Sequence, residues 1–299
     1  MHLNRLFSPI NNVQRYRLLL FLSVVIFWSG IFYLAQDKWL LVTNYWYFFI
    51  LGLVGAIVAN STGAGGGIVF IPFFSAIGMD ASETLGTSIL IQCFGMTAGA
   101  ISWLTSSHVA NTNSLHLNRL ISHLIIYCGF ICIAGVLVGQ YWFVVNDTSS
   151  MLLIFRAFSV LFGAILIYIV LFKSSYKHTH FHISPLDYLV LFFASFVGAL
   201  ITAWISVGIG EIVAITLILR RFPVMVAITI GVCMSSLSVL TSAYLHIHIV
   251  QSVVWEVIMF AVPAALLGGT FAYLLSEKLG PSRLKLFFAT WILATGLTM

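Results

Sequence analysis

Long apolar runs separated by short polar interruptions dominate the chain. They fall at about 18–35, 45–78, 84–104, 120–144, 152–172, 186–219, 224–245, 251–275 and 284–298. A helix of roughly 20 residues crosses a hydrocarbon layer of roughly 30 Å, so most of these runs are long enough to span a bilayer. Leu, Ile, Val and Phe follow one another without the period-2 alternation of a membrane barrel. The pattern predicts an all-α, polytopic helical membrane protein.

Composition closes the soluble alternative. Hydrophobic residues make up 61% of the 299 positions and charged residues 7%, where a soluble domain carries about 25% charged residues. The net charge of +5 is spread over short loops, as residues that fix membrane orientation are, and points to no nucleic acid. The first run follows Arg5, Arg15 and Arg17 and lacks a small-residue cleavage site before Gln36-Asp37-Lys38, so it reads as an uncleaved first span. Cys93, Cys128, Cys132 and Cys233 all sit inside apolar runs and read as packing residues. The stretch Lys177–His182 holds three histidines and reads as a solvated loop. No metal or cofactor is expected.

Internal repetition carries the functional information. Val54-Gly55-Ala56 precedes Asn60-Ser61-Thr62 and the cluster Gly63-Ala64-Gly65-Gly66-Gly67, and Val197-Gly198-Ala199 precedes Ser206-Val207-Gly208-Ile209-Gly210. At a constant offset Gly65 falls on Gly208 and Gly67 on Gly210. With two residues inserted, Leu85-Gly86-Thr87-Ser88 aligns with Ile230-Gly231-Val232-Cys233. Glycine costs roughly 1 kcal/mol relative to alanine inside a helix, so each cluster should break its helix. Backbone freed at membrane depth must be buried in protein or line a wet cavity. Gly95/Gly99 and Gly135/Gly139 read instead as close helix-packing sites. The domain reading is a single transporter domain over 1–299, with an N-terminal span in 1–44, repeat 1 in 45–172, a cytoplasmic loop in 173–185 and repeat 2 in 186–299.

Basic residues choose between two geometries. If each broken segment dips in and returns, eleven of the thirteen Lys and Arg residues share one side, a stronger positive-inside bias than full crossings give. The repeats then have opposite topology, with about seven full spans, two re-entrant hairpins and a cytoplasmic N-terminus, an architecture common among secondary transporters. The run 186–206 is long enough to span alone, which keeps full crossing as the alternative.

Helices restarting after the clusters, from about Ile68 and Glu211, are expected to aim free N–H groups and positive dipole ends at a small anion. The substrate-binding candidates are Asn60, Ser61, Thr62, Gly63, Gly65, Gly66, Gly67, Thr87, Ser88 and Gln92 in the first copy, and Ser206, Gly208, Gly210, Cys233 and Ser236 in the second; Ser235 is a further side-chain donor there. Each polar side chain among them has interhelical hydrogen bonding as its structural alternative. Glu211, a carboxylate at membrane depth, is read as a proton-coupling group, with a capping carboxylate or a cation site as the alternatives.

Gly52-Leu53-Val54-Gly55 leading to Gly63-Ala64-Gly65-Gly66-Gly67 with Pro72, then Gly86-Thr87-Ser88, resembles the TauE/SafE family of sulfite exporters over nearly the whole chain, from about residue 45 onward. The second copy departs from the pattern at Ile209, Glu211, Ile215 and Val232-Cys233. The resemblance implies a secondary transporter, not an enzyme, moving sulfur-containing oxyanions of sulfite or organosulfonate type across the cytoplasmic (inner) membrane. Its expected partners are the small anion, the lipid bilayer and a coupling proton or sodium, as monomer or homodimer. An anion channel or an intramembrane enzyme are the rival functions. The enzyme would need a His–acid, Ser–His or Asp–Asp constellation, and His123, His246 and His248 have no acidic partner at helical spacing.

Overall fold

A computed structural model describes residues 28–30, 33, 37–105, 115–143, 147–172, 183–279 and 281–298. The expected first span over 18–35 lies almost wholly outside these residues, as does the histidine stretch 178–182. Two compact units are present, Met1–Trp46 and Tyr47–Met299. In the first, helix α1 (Lys38–Tyr45) is described, and the Lys38 ammonium stands 4.5 Å from the centroid of the Tyr33 ring.

The second unit holds α2 (Tyr47–Thr62), α3 (Gly67–Ala76), α4 (Ala81–Leu104), α5 (Leu115–Tyr141), α6 (Thr148–Phe172), α7 (Pro185–Ile205), α8 (Ile209–Leu219), α9 (Val224–Tyr244, closing in a π-helical turn at Leu245–Ile249), α10 (Trp255–Leu279) and α11 (Pro281–Thr298). No strand occurs among the described residues. Six described helices are long and apolar enough to cross a membrane. A seventh is added if Lys38–Tyr45 and Tyr47–Thr62 count as one span. The chain is a multi-pass membrane protein.

Both glycine-broken segments fold back on themselves. In the second, Ser184 starts α7 with a capping box: its Oγ accepts from Asp187 N–H while Asp187 Oδ2 accepts from Ser184 N–H at 2.8 Å. Asp187 also pairs with Arg220 at the far end of α8. A Cβ on Gly198 would stand 2.8 Å from Ile209 Cα. Asp187 to Gly198 and Ile209 to Arg220 are each eleven residues, or about 16 Å of helix, so the two arms run antiparallel at matched level. Although α7 is long enough to cross alone, α8 returns to the level where α7 began. In the first segment the same closure is aromatic. Phe48 near the start of α2 meets Phe73 and Phe74 near the end of α3, with centroids 6.0 and 6.1 Å apart.

Small residues set the remaining approaches. Gly52 lies on the backbone of Ala261, Gly268 on Leu53 and Ala56, and Gly269 on Gly95, so α10 packs directly on α2 and α4. Gly135 and Gly139 face the methyls of Ala199 and Ala203, each 2.7 Å from the Cβ a larger residue would carry. This is the small-residue packing expected at both glycine pairs. The four cysteines are buried and free. Two apolar clusters meet at the second break, Ile209 belonging to one and Ile205 and Val207 to the other.

Candidate functional site

The helices stop where glycine makes stopping cheap. After Thr62 the chain turns at Gly63 with φ +81°, and α3 resumes at Gly67. After Ile205 it turns through Ser206 at φ 56° and Gly208 at φ 145°, and α8 resumes at Ile209. Gly208 occupies a conformation that only glycine adopts easily. Ser206 is a left-handed non-glycine residue, a strain of about 1–3 kcal/mol that its surroundings must offset.

Those surroundings are the other break. A Cβ on Gly65 would sit 3.3 Å from the Ser206 carbonyl oxygen and 3.4 Å from Val207 Cα, and one on Gly67 would sit 2.6 Å from the Ser206 oxygen. Gly210 packs against the Gly63 carbonyl and the backbone of Gly231. Residues with side chains could not come this close. The two interruptions, 143 positions apart in sequence, form one junction.

The amides freed by the breaks are not left open. Glu211, 2% exposed, bridges the copies: Gly65 N–H donates to its Oε1 at 2.6 Å and Gly208 N–H to its Oε2 at 2.9 Å. Gly66 N–H donates to Gln92 Oε1 at 2.6 Å. The Gln92 amide nitrogen donates in turn to Ser206 Oγ at 2.6 Å and Ser88 Oγ at 3.0 Å, and the two hydroxyls lie 3.2 Å apart. Ile209 N–H donates to Thr202 Oγ1 at 2.8 Å. Free N–H groups were expected at the restarts; the chain's own carboxylate, amide and hydroxyl oxygens occupy them instead. The reason is the cost of leaving a backbone donor unpaired in a dry interior, about 1–3 kcal/mol each.

Gly63, Gly65, Gly66, Gly67, Ser88, Gln92, Ser206, Gly208, Gly210 and Glu211 are thus brought together. Thr62 borders the junction, lining with Ala64 and Glu211 a space of about 20 Å³ walled by Phe162, Leu166 and Ile292. That volume holds roughly one water. The other candidates face elsewhere. Asn60 donates to the carbonyls of Ala56 and Gly95, and Ser61 to that of Ala272. Thr87 Oγ1 accepts from Val254 N–H, and Ser236 meets Thr97 at 3.0 Å. Cys233 lies two residues from both Gly231 and Ser235, so it stands about 200° round α9 from the face on Gly210. Thr202 was not anticipated, since the matching position of the first copy is Ala59. Its one sequence signal is a hydroxyl within the last turn before the break.

Chemically, the junction is a set of backbone N–H donors from two helix restarts, converged on a buried oxyanion that belongs to the chain. Helix N-termini stabilise negative charge through those N–H groups and the aligned peptide dipoles. No curated protein and no solved structure matches the chain. The family model described as sulfite exporter TauE/SafE matches residues 47–299, which takes in both hairpins and the junction. The chain belongs to the TauE/SafE family of sulfite-exporter-type membrane transporters.

Proposed function

We propose that the protein is a secondary transporter carrying sulfite-type oxyanions across the cytoplasmic membrane, with the junction of the two breaks as its substrate site. The observation that carries this reading is Glu211: a carboxylate already bound by one N–H from each break. An oxyanion is therefore a ligand that these donors fit. Gln92, Ser88 and Ser206 supply polar contacts at the same level.

Two hairpins entering from opposite faces would put their tips together at the midplane, where inverted-repeat transporters hold substrate. The basic residues Arg220 and Arg221 at the base of the second hairpin then lie inside, and Asp80 and Glu83 after the first lie outside. Free space of about 20 Å³ at the junction is too small for sulfite, which suits the occluded stage of a carrier better than an open pore. In this scheme Glu211 takes a proton in one transport state and releases it in another, coupling proton movement to anion movement.

The test is flux into liposomes holding the purified protein, comparing sulfite, sulfate, organosulfonates and chloride with and without a proton gradient. Saturable sulfite flux that responds to the gradient is the expected outcome. Flux that never saturates makes the protein a channel, and no flux of any sulfur oxyanion removes the substrate assignment.

A further inference from the structure

We infer that the Glu211 carboxylate is a tethered competitor of the transported anion, seated on the two amides that the anion must take. The inference rests on the substrate site proposed above and adds what that site selects and what empties it.

The geometry of the seat is that of a two-oxygen ligand. One carboxylate oxygen receives Gly65 N–H at 2.6 Å and the other receives Gly208 N–H at 2.9 Å. The first distance lies just below the ordinary range of N–H···O bonds, about 2.7–3.2 Å. In this structure the two donors take separate oxygens of one carboxylate, an arrangement that a single-atom ligand does not reproduce. An anion with two oxygens on one centre can: sulfite, a sulfonate, a sulfinate or a carboxylate. A halide cannot. The seat is therefore selective for shape as well as charge.

Glu211 caps the start of α8 through Gly208 N–H, and a second observation marks the seat as a ligand site as well. Ser235 Oγ is buried, 3% exposed as a residue, and has no hydrogen-bond partner. It points at the backbone of Gly210, where a Cβ would collide with it. A hydroxyl left idle one residue from Glu211 is a donor held in reserve for an anion that reaches further than the glutamate does.

The carboxylate must leave before a substrate can enter, because both would need the same N–H groups. Protonation weakens its hold. A neutral carboxyl keeps one acceptor oxygen but converts the other into a donor, so one of the two amides loses its partner. The surroundings hold the charge to Glu211 alone. It faces Thr62 and Ala64 from the first break, Phe162 and Leu166 from α6 and Ile292 from α11, none of them titratable. Thr202 of α7 meets the neighbouring Ile209, Gly231 and Ser235 of α9 meet Gly210, and no cation pairs with Glu211 among the described residues. One proton is therefore taken up for each anion seated.

The test is binding by detergent-purified full-length protein, read as a shift in melting temperature. Glu211→Ala deletes four heavy atoms, the same number that acetate contains. Acetate and methanesulfonate should raise the melting temperature of this variant by several degrees relative to chloride at equal ionic strength, and raise that of the wild type much less at pH 8. Equal shifts with chloride, or none, overturn the inference. Should Glu211→Ala not fold, methanesulfonate affinity is compared across pH 5–8 for wild type and Glu211→Gln, since the charge of this probe is constant over that range. The wild type should bind up to tenfold more tightly per pH unit of acidification and Glu211→Gln should be flat; parallel profiles overturn the inference. Binding without sulfite flux would leave the competitor standing and remove the transport reading, whereas flux without competition does the reverse.

Discussion

Glu211 and Gln92 are the two side chains on which the centre depends, and neither has a counterpart in the other copy. At the constant offset Glu211 falls on Ile68, and with the two inserted residues that align Gly86 with Gly231, Gln92 falls on Leu237. The two breaks thus differ in chemistry: Glu211 of the second accepts from Gly65 of the first, and Gln92 on α4 bonds to both. Gln92→Met keeps the volume but leaves Gly66 N–H without its partner and Ser206 Oγ with Ser88 alone, costing about 1–3 kcal/mol. A lower melting temperature and lost sulfite flux are expected, and unchanged values of both would show that the contact is idle. Ser206→Gly relieves a left-handed serine, so its fold should survive, while the missing hydroxyl lowers flux. Thr202→Val strands Ile209 N–H at a cost of about 1–3 kcal/mol, visible as earlier melting. Outside the membrane segments, Asp147 accepts from Ser150 N–H and Ser149 Oγ at 2.8 Å, and these bonds hold its carboxyl down at about 2. A depressed carboxyl contributes stability above its unfolded value of about 4 that fades as pH falls toward 2, so Asp147→Ala should lose stability at pH 7 and match the wild type near pH 2.

At the scale of elements, the hairpins show what a sequence reveals and what it hides. Glycine clusters were legible because glycine is costly inside a helix, and the breaks fall on them. The folding back of α7 and α8 was legible only through loop charges. The contact that closes it, Asp187 with Arg220, joins positions 33 apart that no spacing rule connects. The site was less legible still. Asn60 and Ser61 looked like site residues because they precede the glycines, yet their positions on α2 turn them toward Gly95 and Ala272. Thr202 was overlooked because Ala59 occupies its place in the first copy. Free amides were expected because sequence does not say which distant side chain will satisfy them, and Glu211 reaches Gly65 across 146 positions. Arg220→Ala should loosen the hairpin base by about 1 kcal/mol, since the arginine side chain is 35% exposed and partly screened. Hydrogen exchange should rise across residues 209–219 with little change in α10; no rise there would mean that packing alone holds the hairpin.

For the whole molecule, the fold class and the family agree with the reading from apolar runs and motifs, because membrane burial leaves composition little freedom. Opposite insertion of the two hairpins is the feature on which an alternating-access scheme stands. Single cysteines replacing Gly78 and Arg221 should react with a membrane-impermeant reagent from opposite sides of the membrane, against a background of four buried native thiols. Reaction of both from one side would reverse the topology of one repeat. The central claim is that a sulfite-type anion passes through the junction of the breaks. Its most direct measurement is sulfite uptake into liposomes by wild type and Gln92→Met, each confirmed folded. Saturable uptake by the wild type and its loss in the variant is the expected result. Wild-type uptake that the variant reproduces unchanged would place the anion's route elsewhere in the protein.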